Sequence, residues 1–456
     1  QGDQGDPADG GDHDPAAAGL HLHPADRHVP AEHDELKKED DAAIKKNLSR
    51  MWEDVELQQD EEPIEIKVAP AKEKKPSVLS PSVLSKVLPV IAPSTLKVAF
   101  IYDGTPESSG WVHEHEKGRR HIQQVFADKI KTKTYTNAMG KNPLKVIEKA
   151  ISDGNKVIFT ITPRLLQASL RAAVEHPDII IMNCSLNKSH RYIRSYYTRM
   201  YEAKFILGAL AGSLTKSDKL GYVCDYPIYG QIAAINAFAL GAQMTNPRAK
   251  VHLEWSAVKG AKDADQALRD KDIHLISSQD TARFLNDDRS SYGLSYITGD
   301  KLENIATPVW RWGVYYEEII RRGLNKTLKS EYESSSKALN YFWGMSEGVV
   351  DVVYSKALPR ASRRFCDLLK ESIKHDLCIP FLTPLYTQSG DIIGGGQKSL
   401  SLEQIINMDY LVENVVGTIP KYEELSDMGK ATVDISGIEK SRKEASILNT
   451  EEADEE

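Results

Sequence analysis

The feature that most constrains this chain begins at Leu96. From there, short β-branched and aromatic runs alternate with stretches of helical periodicity. A strand pattern broken repeatedly by a helix pattern predicts βα units and a mostly parallel sheet. Leu96–Tyr102, Lys156–Ile161 and Ile179–Asn183 read as strands, while Trp111–Ile130, a stretch starting near Pro163 and Met200–Leu214 read as helices. The pattern then restarts. Leu220–Cys224, Val251–Trp255, Ile273–Ser277, Tyr292–Ile297 and Ile305–Trp310 predict strands. Ile228–Gln243, Ala264–Asp270, Thr281–Asp287 and Val314–Arg322 predict helical segments between or after them. Two consecutive series of similar size predict two α/β lobes. Further on, Val349–Tyr354 and Phe381–Tyr386 predict strands, Arg360–Lys374 a helix, and Gly390 a hairpin.

The flanks have a different texture. Residues 1–34 are rich in Gly, Asp, Ala, Pro and His and poor in large apolar side chains. Such a segment buries too little surface to offset its ordering entropy and is expected to be disordered. Its composition also suggests a stretch outside the native frame or a truncated start. Residues 35–60 place Leu36, Ile44, Leu48, Met51, Trp52 and Val55 at helical spacing, predicting an amphipathic helix. Residues 61–95 are a Pro-rich linker, and residues 421–456 read as a polar, acidic tail.

Several function classes are excluded at this level. A formal net charge of -8 provides no basic surplus for neutralising nucleic-acid phosphates. The four cysteines form no CxxC pair, which argues against a zinc site and against a disulfide framework. Cys184 and Cys224 end apolar runs and are expected to be buried. No run approaches the roughly 18 apolar residues needed to span a bilayer. The first residues show neither the basic and apolar regions of a signal peptide nor a cysteine for lipid attachment.

No catalytic group, metal site or cofactor emerges from the motifs. His113-Glu114-His115-Glu116 lacks the His-Glu-x-x-His spacing that puts two ligands on one helical face. His115 shares the sheet-facing stripe Trp111, His115, Gly118, Ile122, Val125, which predicts a hydrogen-bonded core or cleft histidine. Gly394-Gly395-Gly396-Gln397-Lys398-Ser399 lacks the Gly-Lys of a phosphate loop and reads as a glycine hairpin. No Gly-x-Ser-x-Gly elbow occurs.

A binding site is easier to assemble. Phe100–Trp111 reads as strand, turn, then helix start, and ligands of open α/β sheets bind at the carboxyl ends of strands. Ser108 and Ser109 suit an N-cap. Trp111 is either a stacking wall or a hydrophobic staple for its own helix. Asp103 and Asp280 each follow a strand, where an aspartate either accepts from sugar hydroxyls or caps a turn. Tyr226, Trp255, Tyr296, Trp310 and Trp312 lie near strand ends. Arg311, between two tryptophans, is a cleft cation or an exposed surface residue.

Residues 96–420 resemble the basic membrane protein family, the PnrA-like substrate-binding proteins of ABC transporters. The stretches carrying the resemblance are Leu96–Arg120, Tyr201–Gly212, Leu220–Ile228, Ile235–Asn246-Pro247, Trp312–Tyr316 and Asn407–Val415. The resemblance implies a type I periplasmic-binding-protein-like fold: two Rossmann-like lobes (about 96–216 and 217–305), a hinge recrossed by the remainder, and a ligand in the cleft. It implies a non-enzymatic protein that binds a purine nucleoside or related base, partners an ABC permease and sits on the extracytoplasmic side of the plasma membrane. An intracellular ligand sensor and, more remotely, a hydrolase acting on the same ligand class are the other readings; the visible start leaves cytoplasmic placement as the alternative. It also implies that Trp111 stacks on the base, that the Asp280 stretch makes polar contacts and that Arg311 supplies a basic group. The candidate ligand-binding set is Asp103, Trp111, His113, Thr162, Tyr226, Gln279, Asp280, Tyr296, Arg311 and Trp312. The chain departs from the family after Val251–Trp255, where Ser256–Gly260 replaces an aromatic–Asp pair, and at Glu107-Ser108-Ser109 in the first loop.

Overall fold

The computed structural model describes residues 95–186, 193–261, 264–278, 293–299, 301–324 and 340–442. All of them fall within one compact unit of the chain, residues 64–456. The expectations for residues 1–34, 35–60 and 61–94, for Thr281–Asp287 and for the tail beyond 442 lie outside the described residues.

In chain order the first elements are β1 (Leu96–Ile101), α1 (Gly110–Phe126), β2 (Ile130–Tyr135), α2 (Pro143–Ser152), β3 (Val157–Thr160), α3 (Leu166–Glu175), β4 (Ile180–Cys184) and β5 (Arg194–Thr198). Next come α4 (Met200–Leu214), β6 (Lys219–Cys224), α5 (Gln231–Thr245), β7 (Lys250–Trp255), α6 (Ala264–Arg269), β8 (Leu275–Ser277), β9 (Leu294–Thr298) and β10 (Lys301–Trp310). The chain continues through α7 (Trp312–Leu324), β11 (Asn340–Trp343), β12 (Val350–Tyr354), α8 (Arg360–Lys374), β13 (Leu385–Tyr386), β14 (Ile392–Ile393), α9 (Leu402–Ile406), β15 (Val415–Val416) and α10 (Asp427–Ser436).

Two sheets result. The first has six strands in the order β11-β5-β4-β3-β1-β2, every neighbouring pair parallel. Its central strands are apolar on both faces, and Val98–Ile101 are fully buried, because helices cover both sides of a parallel sheet. The second has seven strands in the order β12-β10-β9-β8-β6-β7-β15. It is parallel from β8 through β6 and β7 to β15 and antiparallel among β8, β9, β10 and β12. The protein is therefore the two-lobed α/β fold that the alternating pattern predicts.

The chain passes between the lobes three times: from β5 into α4, from β10 into α7, and from β11 into β12. At the first passage, α4 is buried nearly all round. It lies directly on α5 because three glycines leave room for backbone contact. A β-carbon on Gly208 would overlap the Phe238 carbonyl, one on Gly241 the Phe205 carbonyl, and one on Gly212 the Ala242 carbonyl.

Arg199, between β5 and α4, ties the first passage to the third. Its backbone N–H donates to the Trp343 carbonyl at 2.6 Å. Its guanidinium donates to Glu202 Oε1 (2.6 Å), the Phe342 carbonyl (3.1 Å), Ser346 Oγ (2.8 Å) and Glu347 Oε2 (2.9 Å). Glu202 in turn accepts from the Met345 N–H at 2.7 Å. Burial pushes the Glu202 carboxyl up, and the Arg199 charge only partly offsets it.

Some local expectations are corrected. The predicted strand Phe381–Tyr386 is broken: Leu382 forms an isolated antiparallel bridge with Ser399, and only Leu385–Tyr386 forms a strand, which meets Ile392–Ile393 across the turn at Gly390. Residues 421–442 are not a free polar tail. Leu425, Val433 and Ile438 are fully buried there, Ser426 caps α10, and the Ile438 N–H donates to the Pro227 carbonyl at 3.2 Å. Their apolar residues are spaced by polar ones, so the amphipathic helix was masked by a polar average composition.

Candidate functional site

The lobes meet at a cleft formed by the carboxyl ends of the strands, where ligands bind in open α/β sheets. From the first lobe it is lined by Trp111 at the start of α1, Leu186 after β4, Tyr197 and Thr198 at the end of β5, and Phe342 of β11. The second lobe supplies Tyr222, Cys224, Asp225, Tyr229, Gly230, Gln231, Ser278 and Trp310, and the α4 passage supplies Met200, Tyr201 and Lys204. The space, its open mouth and adjoining solvent included, is about 690 Å³.

Trp111 is positioned by its helix start and by the neighbouring strand. Ser109 is the N-cap of α1 and accepts from the Val112 N–H. The Trp111 indole N–H donates to the Ile161 carbonyl just past β3 at 2.6 Å. Its ring meets His115, Trp310 and Trp312 edge-on, with centroids at 4.7, 5.6 and 5.6 Å. Tyr197 lies roughly parallel to it, 6.3 Å away at 27°. Trp111 is therefore both a packed helix-start residue and a cleft wall.

Behind this wall is a buried aromatic layer. His115 stacks on Trp312 at 4.4 Å and shares a 2.5 Å hydrogen bond with the Tyr316 hydroxyl, which lies 3.2 Å from the Tyr196 hydroxyl. Burial holds the His115 imidazole well below its ordinary pKa, so it is neutral. It is the hydrogen-bonded core histidine that its stripe predicts.

On the opposite side, Lys204 of α4 is fully buried. Its ammonium donates to Ser277 Oγ (3.0 Å) and the Ser278 carbonyl (3.4 Å) at the end of β8, and lies 4.8 Å from the Tyr222 ring centroid. Gly230 faces Leu186 across the mouth. Its φ of 80° and the 2.6 Å separation that a β-carbon would have from Leu186 Cδ1 both require glycine. The loop carrying Gly230 is backed by the carboxyl-terminal segment: the Tyr229 N–H donates to the Ser436 carbonyl (3.0 Å) and the Gly230 N–H to the Ile406 carbonyl (3.1 Å).

The sequence-predicted residues separate in space. Trp111 lines the cleft. Asp103 and Thr162 stand on the same rim of strand ends but outside the lining; Asp103 lies 3.9 Å from Arg164, and burial raises its carboxyl pKa more than that cation lowers it. The Thr162 hydroxyl accepts from the Arg164 N–H, a turn role. His113 and Tyr226 are also outside the lining, whose places near them are taken by Trp111 and Tyr229. Tyr296 is on β9, roughly parallel to His274 at 6.1 Å. Arg311 is exposed and paired with Asp351 of β12 rather than pointing a charge into the cleft. Trp312 is buried one layer behind Trp111. Gln279 and Asp280 lie outside the described residues, immediately after the lining residue Ser278.

Residues that sequence reasoning passed over are Tyr197 and Lys204. Tyr197 sits on a strand hidden among polar neighbours, Arg194-Ser195-Tyr196-Tyr197-Thr198. Lys204 had a usable signal: it is a lysine inside an otherwise apolar helix, and such a charge must find partners when the helix is buried.

Residues 95–276 match the family model described as ABC transporter substrate-binding protein PnrA-like, Bmp. The chain is also 26% identical over 343 residues to a purine-binding protein of Brucella abortus, covering 72% of this chain and 95% of that protein. A Haloferax volcanii protein named for ABC transporter glucose binding, TsgA13, is 25% identical over 268 residues, covering 56% of this chain and 66% of that one. Among solved structures, an ABC transporter solute-binding protein from Conexibacter woesei aligns at 15% identity with a TM-score of 0.47, covering 62% of this chain and 97% of that chain. A transcriptional activator of the comK gene from Bacillus halodurans aligns at 14% with a TM-score of 0.49, covering 62% and 99%. At that level of likeness neither structure bears on ligand or function. The Bmp match ends at residue 276, just before Ser278, so it takes in β1–β5 of the first lobe, α4, α5 and the first strands of the second lobe, but not the lining residues Ser278, Trp310 and Phe342.

Proposed function

We propose that the cleft binds a purine nucleoside or related base and that the chain is the substrate-binding component of an ABC importer, delivering that ligand to a permease. One observation carries the reading: two aromatic side chains on the cleft wall, Trp111 and Tyr197, face each other at 6.3 Å and 27°. Aromatic faces of this kind suit a planar base through stacking. Tyr197 takes the part of the second aromatic wall that the Ser256–Gly260 departure leaves vacant. The purine-binding relative, matched over 95% of its length, supports the same ligand class.

The protein binds rather than reacts. The three interlobe passages act as the hinge on which the lobes close over ligand, and the Arg199 cluster keeps two of them in step. An importer receptor works on the extracytoplasmic face. Among the described residues no helix is long and apolar enough to cross a membrane.

The test is a thermal-shift screen of the full chain with purine bases, nucleosides, riboflavin and glucose. Ligand at about 100 times its dissociation constant adds roughly 2.7 kcal/mol. At about 2 °C per kcal/mol for a protein of this size, the expected shift is about 5 °C. No shift with any purine refutes the reading.

A further inference from the structure

We propose that Thr198 and Trp310 read the ligand's edge, selecting a heterocycle that presents hydrogen-bond acceptors to the cleft; this rests on the cleft being the ligand site. Trp310 ends β10 and Thr198 ends β5, so two different strands bring them to the same cavity. They are 8% and 1% exposed. The indole nitrogen of Trp310 and the hydroxyl of Thr198 are both buried with no hydrogen-bond partner.

Other buried groups of the same kinds are paired. The Trp111 indole donates to the Ile161 carbonyl at 2.6 Å, and the Trp255 indole to the Thr418 carbonyl at 2.8 Å. The buried hydroxyl of Thr160 is likewise engaged, 2.9 Å from Ser169 Oγ. Buried polar groups in folded proteins are nearly always paired, and an unpaired one calls for a partner such as a ligand. Trp312 Nε1 and His115 Nε2 are also unpaired. They belong to the layer behind Trp111 and do not line the cavity, so they take no part in the proposal.

The chemistry of the pair defines what they read. An indole N–H only donates, so the atom it meets must be an acceptor: a ring nitrogen or a carbonyl oxygen. A threonine hydroxyl donates or accepts. Lys204, in the same lining, is a pure donor through its ammonium. Flat walls of Trp111 and Tyr197 with a donor-bearing edge fit a nitrogen heterocycle. A site built to hydrogen-bond one substrate atom rejects the analogue lacking it, because the protein group is left unpaired.

The experiment titrates the full chain calorimetrically with adenine and hypoxanthine and with their 3-deaza and 7-deaza analogues. Wild type, Trp310→Phe and Thr198→Val are compared. Thr198→Val keeps the side-chain shape and removes the hydroxyl; Trp310→Phe removes the indole N–H together with one ring of the side chain. One deaza analogue should bind wild type about tenfold more weakly than its parent, the size of one hydrogen bond. Trp310→Phe should abolish that difference, and Thr198→Val should weaken the parent base by a similar factor. The ligand-free melting temperature of Thr198→Val should stay level or rise, because it loses an unpaired buried group, whereas that of Trp310→Phe should fall because the smaller ring leaves a cavity beside Trp111. If the parent bases bind and neither the analogues nor the variants differ from them, this inference is wrong and the binding site stands. If no base binds wild type, the site reading falls and takes this inference with it. A variant that does not fold leaves the analogue comparison on wild type to decide.

Discussion

Replacing Trp111 by alanine separates its two roles by magnitude. The indole gives up a hydrogen bond to Ile161 and ring contacts with His115, Trp310, Trp312 and Tyr197. Removing a large buried aromatic costs about 3–5 kcal/mol, and Trp111 is only partly buried, so about 3 kcal/mol of folding stability is the expected loss. That loss follows from packing alone. If the ring is also the ligand wall, binding weakens by a further 1–3 kcal/mol, the measured range for one base–aromatic stack. The dissociation constant then rises about 5- to 150-fold. Calorimetric titration at a temperature where the variant is folded reads the second quantity without the first. Trp111→Phe, which keeps a ring but not the indole N–H, should retain most of the affinity. A folded Trp111→Ala protein whose affinity stays within about twofold of wild type refutes the stacking role and leaves Trp111 as packing.

Three further outcomes are expected. A β-carbon on Gly208 overlaps the Phe238 carbonyl, so Gly208→Ala should force α4 from α5 at about 1–3 kcal/mol or more and lower the melting temperature by several degrees; an unchanged melt contradicts the close-contact account. Gly230→Ala should lower stability, because a φ of 80° strains any residue with a β-carbon, and should also weaken ligand binding, because the added carbon meets Leu186 across the cleft mouth; equal binding by calorimetry shows that closure does not bring those residues together. The third concerns acid. Burial alone would push the Glu116 carboxyl up, but hydrogen bonds from Arg119 and Arg120 outweigh it and hold the group at about 2. A depressed carboxylate stabilises the fold above its unfolded pKa of about 4.5 and loses that contribution as pH falls toward 2, at most about 3 kcal/mol. Glu116→Gln should flatten melting temperature against pH between about 4.5 and 3, and a wild-type slope in the variant rejects this assignment.

The fold was legible where side-chain pattern and burial agree. β1, β3, β4 and β6 are buried strands with apolar runs, β7 alternates apolar with polar residues, and α4 and α8 are bounded in the structure as their sequences predict. β2 escaped notice because it is the edge of its sheet, and an edge strand tolerates the alternating lysines of Ile130-Lys131-Thr132-Lys133. β5 escaped because its aromatic pair is flanked by Arg194 and Ser195, whose burial depends on neighbours distant in sequence.

The cleft was legible only in part for the same reason. Trp111 could be placed from a strand-turn-helix signature alone. Arg311 could not be placed, because its position depends on Asp351, forty residues away on a strand that pairs with β10. Tyr197 and Trp111 become neighbours only when β5 and β1 are set in one sheet with β3 and β4 between them.

The most direct test of the account is calorimetric titration of the full chain with purine bases, purine nucleosides and glucose. The account predicts saturable binding of a purine with one site per chain and no comparable heat from glucose. Saturable binding of glucose without any response to purines would contradict it.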